Sequence, residues 1–478
     1  MQRILNLTPH HARRGGADAA RASCRLASLR RALPIALAAG LAGITPALAQ
    51  TPLPEPAQAE PADAGCDEGR RIATGACLAT ELQVDGFANL RGGVRRGVAA
   101  IGRLRIGLGI DLEAAAGLEG WSFEASAFGI FGREPTPTLI GSLAPASNIE
   151  ALPTFRLNEL WLQRTVAGIG SLRFGQLAAD TEFATAEAAG SLVNGTFGWP
   201  VALAVALPAS GPAYPLATPG IRLALGDPEA GPAGLRLGLF SGDPAGRYGP
   251  ETPPQRHNRY GTIFSFAGGA FMIGEAVVGG VAPGEGDALR PWVLKLGAWY
   301  HTGGFDSQRY DAQGLSLADP ASSGVPRRFG NNYGGYAVGE VAVWRGEAGS
   351  LALFARAFAA PADRNLVSLQ LDGGLAWRGP FGRREDTLSL GVSYARIGSG
   401  ARGLDRDRMA FGEDGVLRTH ETVVELNYDL AVVPGRLNLQ PIVQWLINPA
   451  AGEPDERRSA DRPLPDAFLL GMRVTASF

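Results

Sequence analysis

Apolar and polar residues alternate with a period of two along much of this chain, and the last strand shows the pattern most cleanly. Counting back from Phe478, the residues Ala476, Val474, Met472, Leu470 and Phe468 are apolar. The interleaved set is Ser477, Thr475, Arg473, Gly471 and Leu469. A strand turns alternate side chains to opposite faces, so one face here suits hydrocarbon and the other water. A segment of about 10 such residues has the length of a transmembrane β-strand. The same division recurs upstream. Arg103–Leu112 sets Leu104, Ile106, Leu108, Ile110 and Leu112 against Arg103, Arg105 and Asp111. Val367–Trp377, Leu388–Tyr394, Glu421–Leu430 and Leu437–Trp445 divide likewise, with Trp377, Tyr428 and Trp445 at strand ends, where interfacial aromatic belts form. These elements predict an all-β fold, a transmembrane antiparallel β-barrel.

Connection lengths agree. Short connections at Val433–Arg436 and Arg345–Gly349 alternate with long ones at Asn448–Pro465 and Gly398–Thr419, as periplasmic turns alternate with outer loops. From residue 82 onward there is room for about 16 strands (16–18), bacterial barrels using even numbers. Upstream the count is less clean. Gly268-Gly269 reads as a tight turn although parity places it outside, which leaves one strand in excess, and the pattern does not divide Ala178–Ile263.

The N-terminus predicts the compartment. Residues 1–49 run from an Arg-rich stretch ending at Arg30-Arg31, through an apolar run from Ala32 to Ile44, to Ala47-Leu48-Ala49. Charged, apolar and small-residue regions in that order make a secretory signal peptide, with cleavage expected after Ala49 and a true start downstream of Met1. Residues 50–81, rich in Pro, Ala and acids, read as a periplasmic tether, and residues 82–478 as the outer-membrane barrel. Removing the seven Arg and one Asp of the leader leaves thirty-seven basic and forty-five acidic residues, a balance of −8. An acidic exported chain is a poor nucleic-acid binder.

Cys24 precedes the apolar run and leaves with the leader. Cys66 and Cys77 could form one disulfide in an oxidising periplasm, the alternative being two idle thiols. No His lies near them, and the mature histidines His257, His301 and His420 lack partners at zinc spacing, so neither a metal nor a cofactor is expected. A hydrolase is disfavoured: His420-Glu421 near Ser389 or Ser393 comes with no sign of a strained nucleophile. Gly398-Ser399-Gly400-Ala401-Arg402-Gly403 matches a nucleotide-binding glycine pattern but reads as a turn in a charged loop.

The inward faces mix arginine with carboxylates, amides and aromatics. Glu159, Trp161 and Gln163 share one face, and neighbouring strands add Arg103, Arg105, Glu124, Arg173, Lys295, Trp299, Arg356 and Asp372. Lys295 is the only lysine in the chain. Guanidinium and carboxylate groups make paired hydrogen bonds to vicinal hydroxyls, and aromatic faces stack on sugar C–H groups. An ion would favour one sign of charge. Composition alone leaves a sugar pathway and a general polar lumen equally open.

Several runs sharpen that choice. They include Ser147-Asn148-Ile149-Glu150-Ala151, Glu159-Leu160-Trp161-Leu162, Gly175-Gln176-Leu177-Ala178-Ala179-Asp180-Thr181-Glu182-Phe183 and Asn194-Gly195-Thr196-Phe197-Gly198-Trp199-Pro200. Gly211-Pro212-Ala213-Tyr214-Pro215-Leu216-Ala217-Thr218-Pro219-Gly220, Leu296-Gly297-Ala298-Trp299-Tyr300-His301-Thr302-Gly303 and Asp363-Arg364-Asn365-Leu366 complete the set. Together they resemble the carbohydrate-selective porin family of Gram-negative outer membranes, over roughly residues 82–478. The resemblance implies a 16-stranded barrel, loops folded into the lumen to form an eyelet, and passive diffusion of glucose and other mono- or oligosaccharides into the periplasm. The stretch 178–220 is the natural constriction. In it Asp180 and Glu182 are expected to line the pore, and Trp199, Phe197 and Tyr214 either line it or wedge the loop against the wall. Arg91, Arg95 and Arg96 resemble the basic stretch that opens the family's barrel region. The expected partners are neutral sugars, outer-membrane lipids and, through the strand ending at Phe478, the barrel-assembly machinery. A general or anion-leaning porin and an adhesive surface barrel are the alternatives.

Overall fold

The computed structural model describes residues 69–478 except 227–232, 250–251, 284–288 and 456–460. The signal-peptide expectation and Cys66 lie outside the described residues. Among the described residues nineteen strands form, in chain order: β1 (Arg70–Ala73), β2 (Ala76–Arg91), β3 (Gly97–Asp111), β4 (Trp121–Gly132), β5 (Thr154–Val166), β6 (Gly170–Leu177), β7 (Thr218–Gly226), β8 (Ala233–Ser241), β9 (Ala270–Pro283) and β10 (Leu289–His301). They continue with β11 (Phe305–Asp311), β12 (Pro326–Phe329), β13 (Asn332–Gly346), β14 (Gly349–Ala359), β15 (Val367–Arg378), β16 (Thr387–Ile397), β17 (His420–Val433), β18 (Leu437–Ile447) and β19 (Ala467–Ser477).

Each strand from β2 to β10 and from β13 to β19 pairs antiparallel with its neighbours, β10 pairs with β13, and β19 pairs back to β2. That ring is a closed barrel of 16 strands, with no open edge left for the hydrocarbon region, where unpaired backbone groups cannot be tolerated. β1 is a short arm on β2, and β11–β12 is a separate hairpin.

The first ring strand begins at Ala76, inside the stretch read as tether. Its alternation of Leu78, Leu82 and Val84 against Cys77, Glu81, Gln83 and Asp85 was masked by neighbouring Pro, Ala and acids. Cys77 is disulfide-bonded. Arg91, Arg95 and Arg96 stand exposed at the end of β2 and in the following turn, not on the inner wall. Gly268-Gly269 closes an outer loop ahead of β9, so parity was the right guide and the extra strand does not exist. The Gly398–Gly403 run does not make a turn. It opens an α-helix, Ser399–Ala410, which packs on the β11–β12 hairpin through Arg309 and Asp407 at 2.7 and 2.9 Å.

On β19, Phe468, Leu470 and Met472 of the outer face are exposed, whereas inward Ala467, Leu469 and Arg473 are buried. Trp292, Trp344, Tyr428 and the exposed Phe381 lie at one end of the barrel, and Tyr300, Tyr333 and Trp445 at the other. The barrel is not empty. Leu139, Ile140, Leu192, Val193, Phe197, Val201 and Leu203, all from connections between strands, are 0–2% exposed in a core that includes inward residues of the wall. Burying such side chains contributes about 1.5–3 kcal/mol each.

Candidate functional site: the lumen and its inward loops

Two outer connections turn into the barrel, residues 133–153 after β4 and 178–217 after β6. Irregular backbone inside a protein carries N–H and C=O groups that must be paired, and the wall supplies the partners. Carboxylates of the wall accept from successive amides of the longer loop: Glu275 from Ala184, Glu340 from Ala188, and Glu425 from Val193 and Asn194 at 2.7 Å each. Gln370 accepts from Ala202, while Gln440 and Asn427 donate to Ser191 O. Asn332 donates to Ala206 O. These partners lie on inward positions from β9 round to β18, so the longer loop lies inside the barrel against that arc. Gly391 on β16 permits the approach: a Cβ there would sit 2.4 Å from Leu192 and 2.7 Å from Phe197.

The shorter loop plugs the outer end beside the seam. Glu421 accepts from Leu143 and Ala144, Gln444 donates to Ala146 O, and Arg473 donates to Asn148. Arg473 also forms a two-pronged bond to Asp85, 2.7 Å on each arm, across the β19–β2 junction. Nothing in the sequence pattern marked this second loop as an inward one, although its Ser147–Ala151 run was conspicuous.

Every wall residue named from the sequence faces inward, but their surroundings differ. Arg356 and Asp372 are fully buried. Arg356 bonds Asp372 and donates to Ala184 O, Thr196 O and Gly198 O, so this pair clamps the loop and does not face an open pathway. Lys295 Nζ donates to Thr185 O, and Glu159 accepts from Ala178. Trp199 is a wedge, its indole donating to Ser210 O within the loop. Asp180 is half-buried and accepts from the Tyr214 amide, and desolvation raises its carboxyl to about 6. The physical reason is common to all: an inward loop must have its backbone satisfied before any side chain can be spared for a solute.

The arc from β2 to β7 differs. Arg103 reaches Glu81 at 3.1 Å and Gln83 at 2.6 Å, and Arg105 reaches Glu124 at 3.4 Å. Arg173 bonds Gln163 and Glu182, with its guanidinium 3.9 Å from the centre of the Trp161 ring. The charged side chains of these pairs stay 15–32% exposed. A β-bulge in β5 turns both Asn158 and Glu159 inward, next to Trp161. Glu182, on the loop, is held by Arg173 at 2.6 Å and Arg222 at 2.8 Å, with Arg236 at 4.0 Å. Arg222 and Arg236 escaped the sequence reading because β7 and β8 were not resolved. Their signal was present: Ile221-Arg222-Leu223 and Leu235-Arg236-Leu237 repeat the apolar–Arg–apolar pattern of Leu104-Arg105-Ile106.

The wall therefore divides into a sealed arc, bonded to the loop, and a wetter arc where arginines alternate with carboxylates and amides. Among the buried donors of the wetter arc that have no hydrogen-bond partner in the protein are Trp161 Nε1 and Arg103 Nε. The Arg103 guanidinium also lies 5.1 Å from the Phe128 ring and 5.6 Å from that of Tyr214. Among the described residues no cluster of His, Cys, Asp and Glu could hold a metal.

The chain is similar to known proteins. Residues 95–478 match the carbohydrate-selective porin, OprB family. Among solved structures, the high-pH structure of Pseudomonas putida OprB superposes with a TM-score of 0.72 at 19% identity, covering 84% of this chain and 94% of that one. The low-pH structure of the same protein gives 0.47 at 14% identity, covering 84% and 93%. A loop-deletion mutant of OmpT from Vibrio cholerae gives 0.46 at 8% identity, covering 84% and 100%. Among curated protein sequences, none matches significantly.

Proposed function

Since the chain belongs to the carbohydrate-selective porin, OprB family, we propose that sugars cross its barrel along the β2–β7 arc, moving down their gradient into the periplasm, with glucose and short oligosaccharides as the permeating solutes. The observation that carries this reading is the pairing of charges on that arc. Arg103 with Glu81, Arg105 with Glu124, and Arg173 and Arg222 with Glu182 set four guanidinium groups against three carboxylates, a small net charge spread over a dense row of donors and acceptors. A sugar that sheds water there can exchange it for bonds to guanidinium and carboxylate groups. The face of Trp161 is already covered by Arg173, so the indole fixes the guanidinium, and the partly exposed guanidinium groups of Arg103, Arg105 and Arg173 are the donors a hydroxyl can reach. Contacts must remain weak and several, because tight binding would stop flux.

The site residues on this reading are Arg103, Arg105, Glu124, Trp161, Gln163, Arg173 and Glu182. Arg356, Asp372, Glu159 and Lys295 act one step back, by positioning the loop. The chain works as a channel and not as an enzyme, in the outer membrane, after removal of its leader at Ala49. Insertion through the barrel-assembly machinery would use the strand ending at Phe478. Liposome swelling tests the proposal. Glucose and maltose should enter faster than amino acids of similar size, and Arg173→Ala should narrow that difference. Equal rates for sugars and amino acids would remove the sugar reading, and rates dominated by anions would favour the anion-leaning alternative.

A further inference from the structure

The outer surface of the barrel has two depressions near its extracellular end, and each finishes at an arginine. The first, about 590 Å³, is bounded by Gly86, Ala88, Val98, Ala100, Leu470 and Met472, with Arg133 at its end. The second, about 540 Å³, lies between Leu82, Leu104, Gly129, Pro153 and Phe155, with Arg259 at its end. Small residues make the floors. A Cβ on Gly86 would touch nothing within 4 Å, and one on Gly129 would only reach Leu104 and Phe155 at 3.7 Å. Phe131 lies over Gly102 and forms the ridge between the two.

The arginines are anchored by their backbones. The Arg133 amide donates to Ala100 O at 2.7 Å, and Arg259 O accepts from Thr154 Oγ1 at 2.9 Å. Arg91, Arg96, Arg133 and Arg259 are exposed along this one rim, and none is in an ion pair among the described residues. The acids nearby are few: Glu134 is half-buried, and Asp466 is exposed with one oxygen accepting from Asn448.

From this juxtaposition we infer that the extracellular end of β2–β5 is a binding site for a bis-phosphorylated lipid of the outer leaflet, lipid A, its acyl chains in the two grooves and its phosphates on the rim arginines. Unpaired guanidinium groups at the boundary of an apolar surface match phosphate in charge and in two-pronged geometry. The site is on the opposite side of the wall from the sugar pathway and does not depend on it.

Native mass spectrometry of the full chain released from detergent tests the inference, with bis-phosphorylated lipid A, monophosphoryl lipid A, phosphatidylglycerol and glucosamine phosphate as probes. Bis-phosphorylated lipid A should bind tightest. Arg133→Gln and Arg259→Gln should each weaken it by about tenfold, the value of a charge-assisted bond, and Gly86→Leu with Gly129→Leu should displace its chains while leaving the arginines in place. Heat-modifiable gel mobility shows that each variant is folded, and where a variant is not, the ranking of the four probes on the unaltered protein decides. The inference is overturned if lipid A binds no better than phosphatidylglycerol, if glucosamine phosphate binds as well as lipid A, or if the arginine variants bind like the parent. A lipid-free dimer that the groove variants dissociate would overturn it too, marking the face as a contact between copies.

Discussion

Replacing Arg356 with methionine should loosen the inward loop and widen the channel without unfolding the barrel. The side chain makes five hydrogen bonds, two to Asp372 and three to the carbonyls of Ala184, Thr196 and Gly198. Methionine keeps most of the volume but leaves the buried Asp372 carboxylate without its cation, bonded only by Gln370. Removing one partner of a buried pair costs about 3–5 kcal/mol. The barrel keeps its backbone ladder, so the cost falls on the docked state of residues 184–198. At about 1.4 kcal/mol per tenfold, the undocked population rises by about two to four orders of magnitude. Single-channel recording in planar bilayers should then show flicker to a larger conductance, and liposome swelling should extend to oligosaccharides that the parent excludes. Asp372→Asn added to Arg356→Met should recover part of the loss, because no lone charge remains buried. A folded Arg356→Met barrel with the parent's conductance and size limit would refute the clamp, and with it the division of the wall into two arcs.

Two further outcomes follow from the loops and the seam. Asp85→Asn should strip the charge from the bond that joins β2 to β19 and lower the temperature at which the folded band disappears in heat-modifiable gels, a loss of about 3–5 kcal/mol, whereas an unchanged transition would show that the ladder alone closes the barrel. Glu150, half-buried in the shorter loop with bonds from Thr136 and Ser147, has its carboxyl pushed up to about 8 by desolvation. A carboxyl whose folded pKa lies above its unfolded value binds a proton on docking, so the loop is held best below about pH 4.5 and loses that contribution as pH rises to about 8; hydrogen exchange of the Leu143–Ser147 amides, corrected for intrinsic rates, should accelerate across this window in the parent and not in Glu150→Gln, and a flat profile in both would refute the linkage.

Strand alternation carried most of the fold because a barrel in a bilayer has a lipid face with little tolerance for exceptions. Leu104, Ile106 and Leu108, or Leu470 and Met472, could hardly face anywhere but hydrocarbon. The same logic placed Arg473 inside, where Asp85 meets it. It failed where backbone pairing and not hydrophobicity sets the structure. β2 was cut short because its inward set includes Cys77, Glu81 and Asp85 in a stretch whose composition resembles the linker before it. The helix at Ser399–Ala410 was read as a turn because its burial rests on Ala401, Gly403 and Leu404 against a hairpin contributed by residues far upstream. Inward polar residues were legible as a class, but which of them would be used up by loop amides was not. That depends on where residues 178–217 lie in three dimensions, and period-two patterning holds no such information.

The loop's position also accounts for why the pathway has the chemistry it has. A loop of forty residues inside a barrel brings its backbone dipoles with it, and the arc that receives it must present carboxylates to amides and amides or guanidinium groups to carbonyls. Glu275, Glu340, Gln370, Arg356 and Glu425 fulfil that demand and are lost to the solute. The opposite arc meets the loop mainly at its root, where Ala178 bonds Glu159 and Glu182 is gripped by three arginines. Its remaining charges pair along the wall, Arg103 with Glu81 and Arg105 with Glu124, and neighbours of opposite sign weaken the long-range field while the side chains stay partly exposed. A neutral polyhydroxylated molecule is the solute that gains from such a surface, since it feels the hydrogen bonds but not the field. On the proposed pathway, selectivity for sugars follows from where the loop docks, since a loop lying on the β2–β7 arc would cover the row of paired charges that a sugar is proposed to follow.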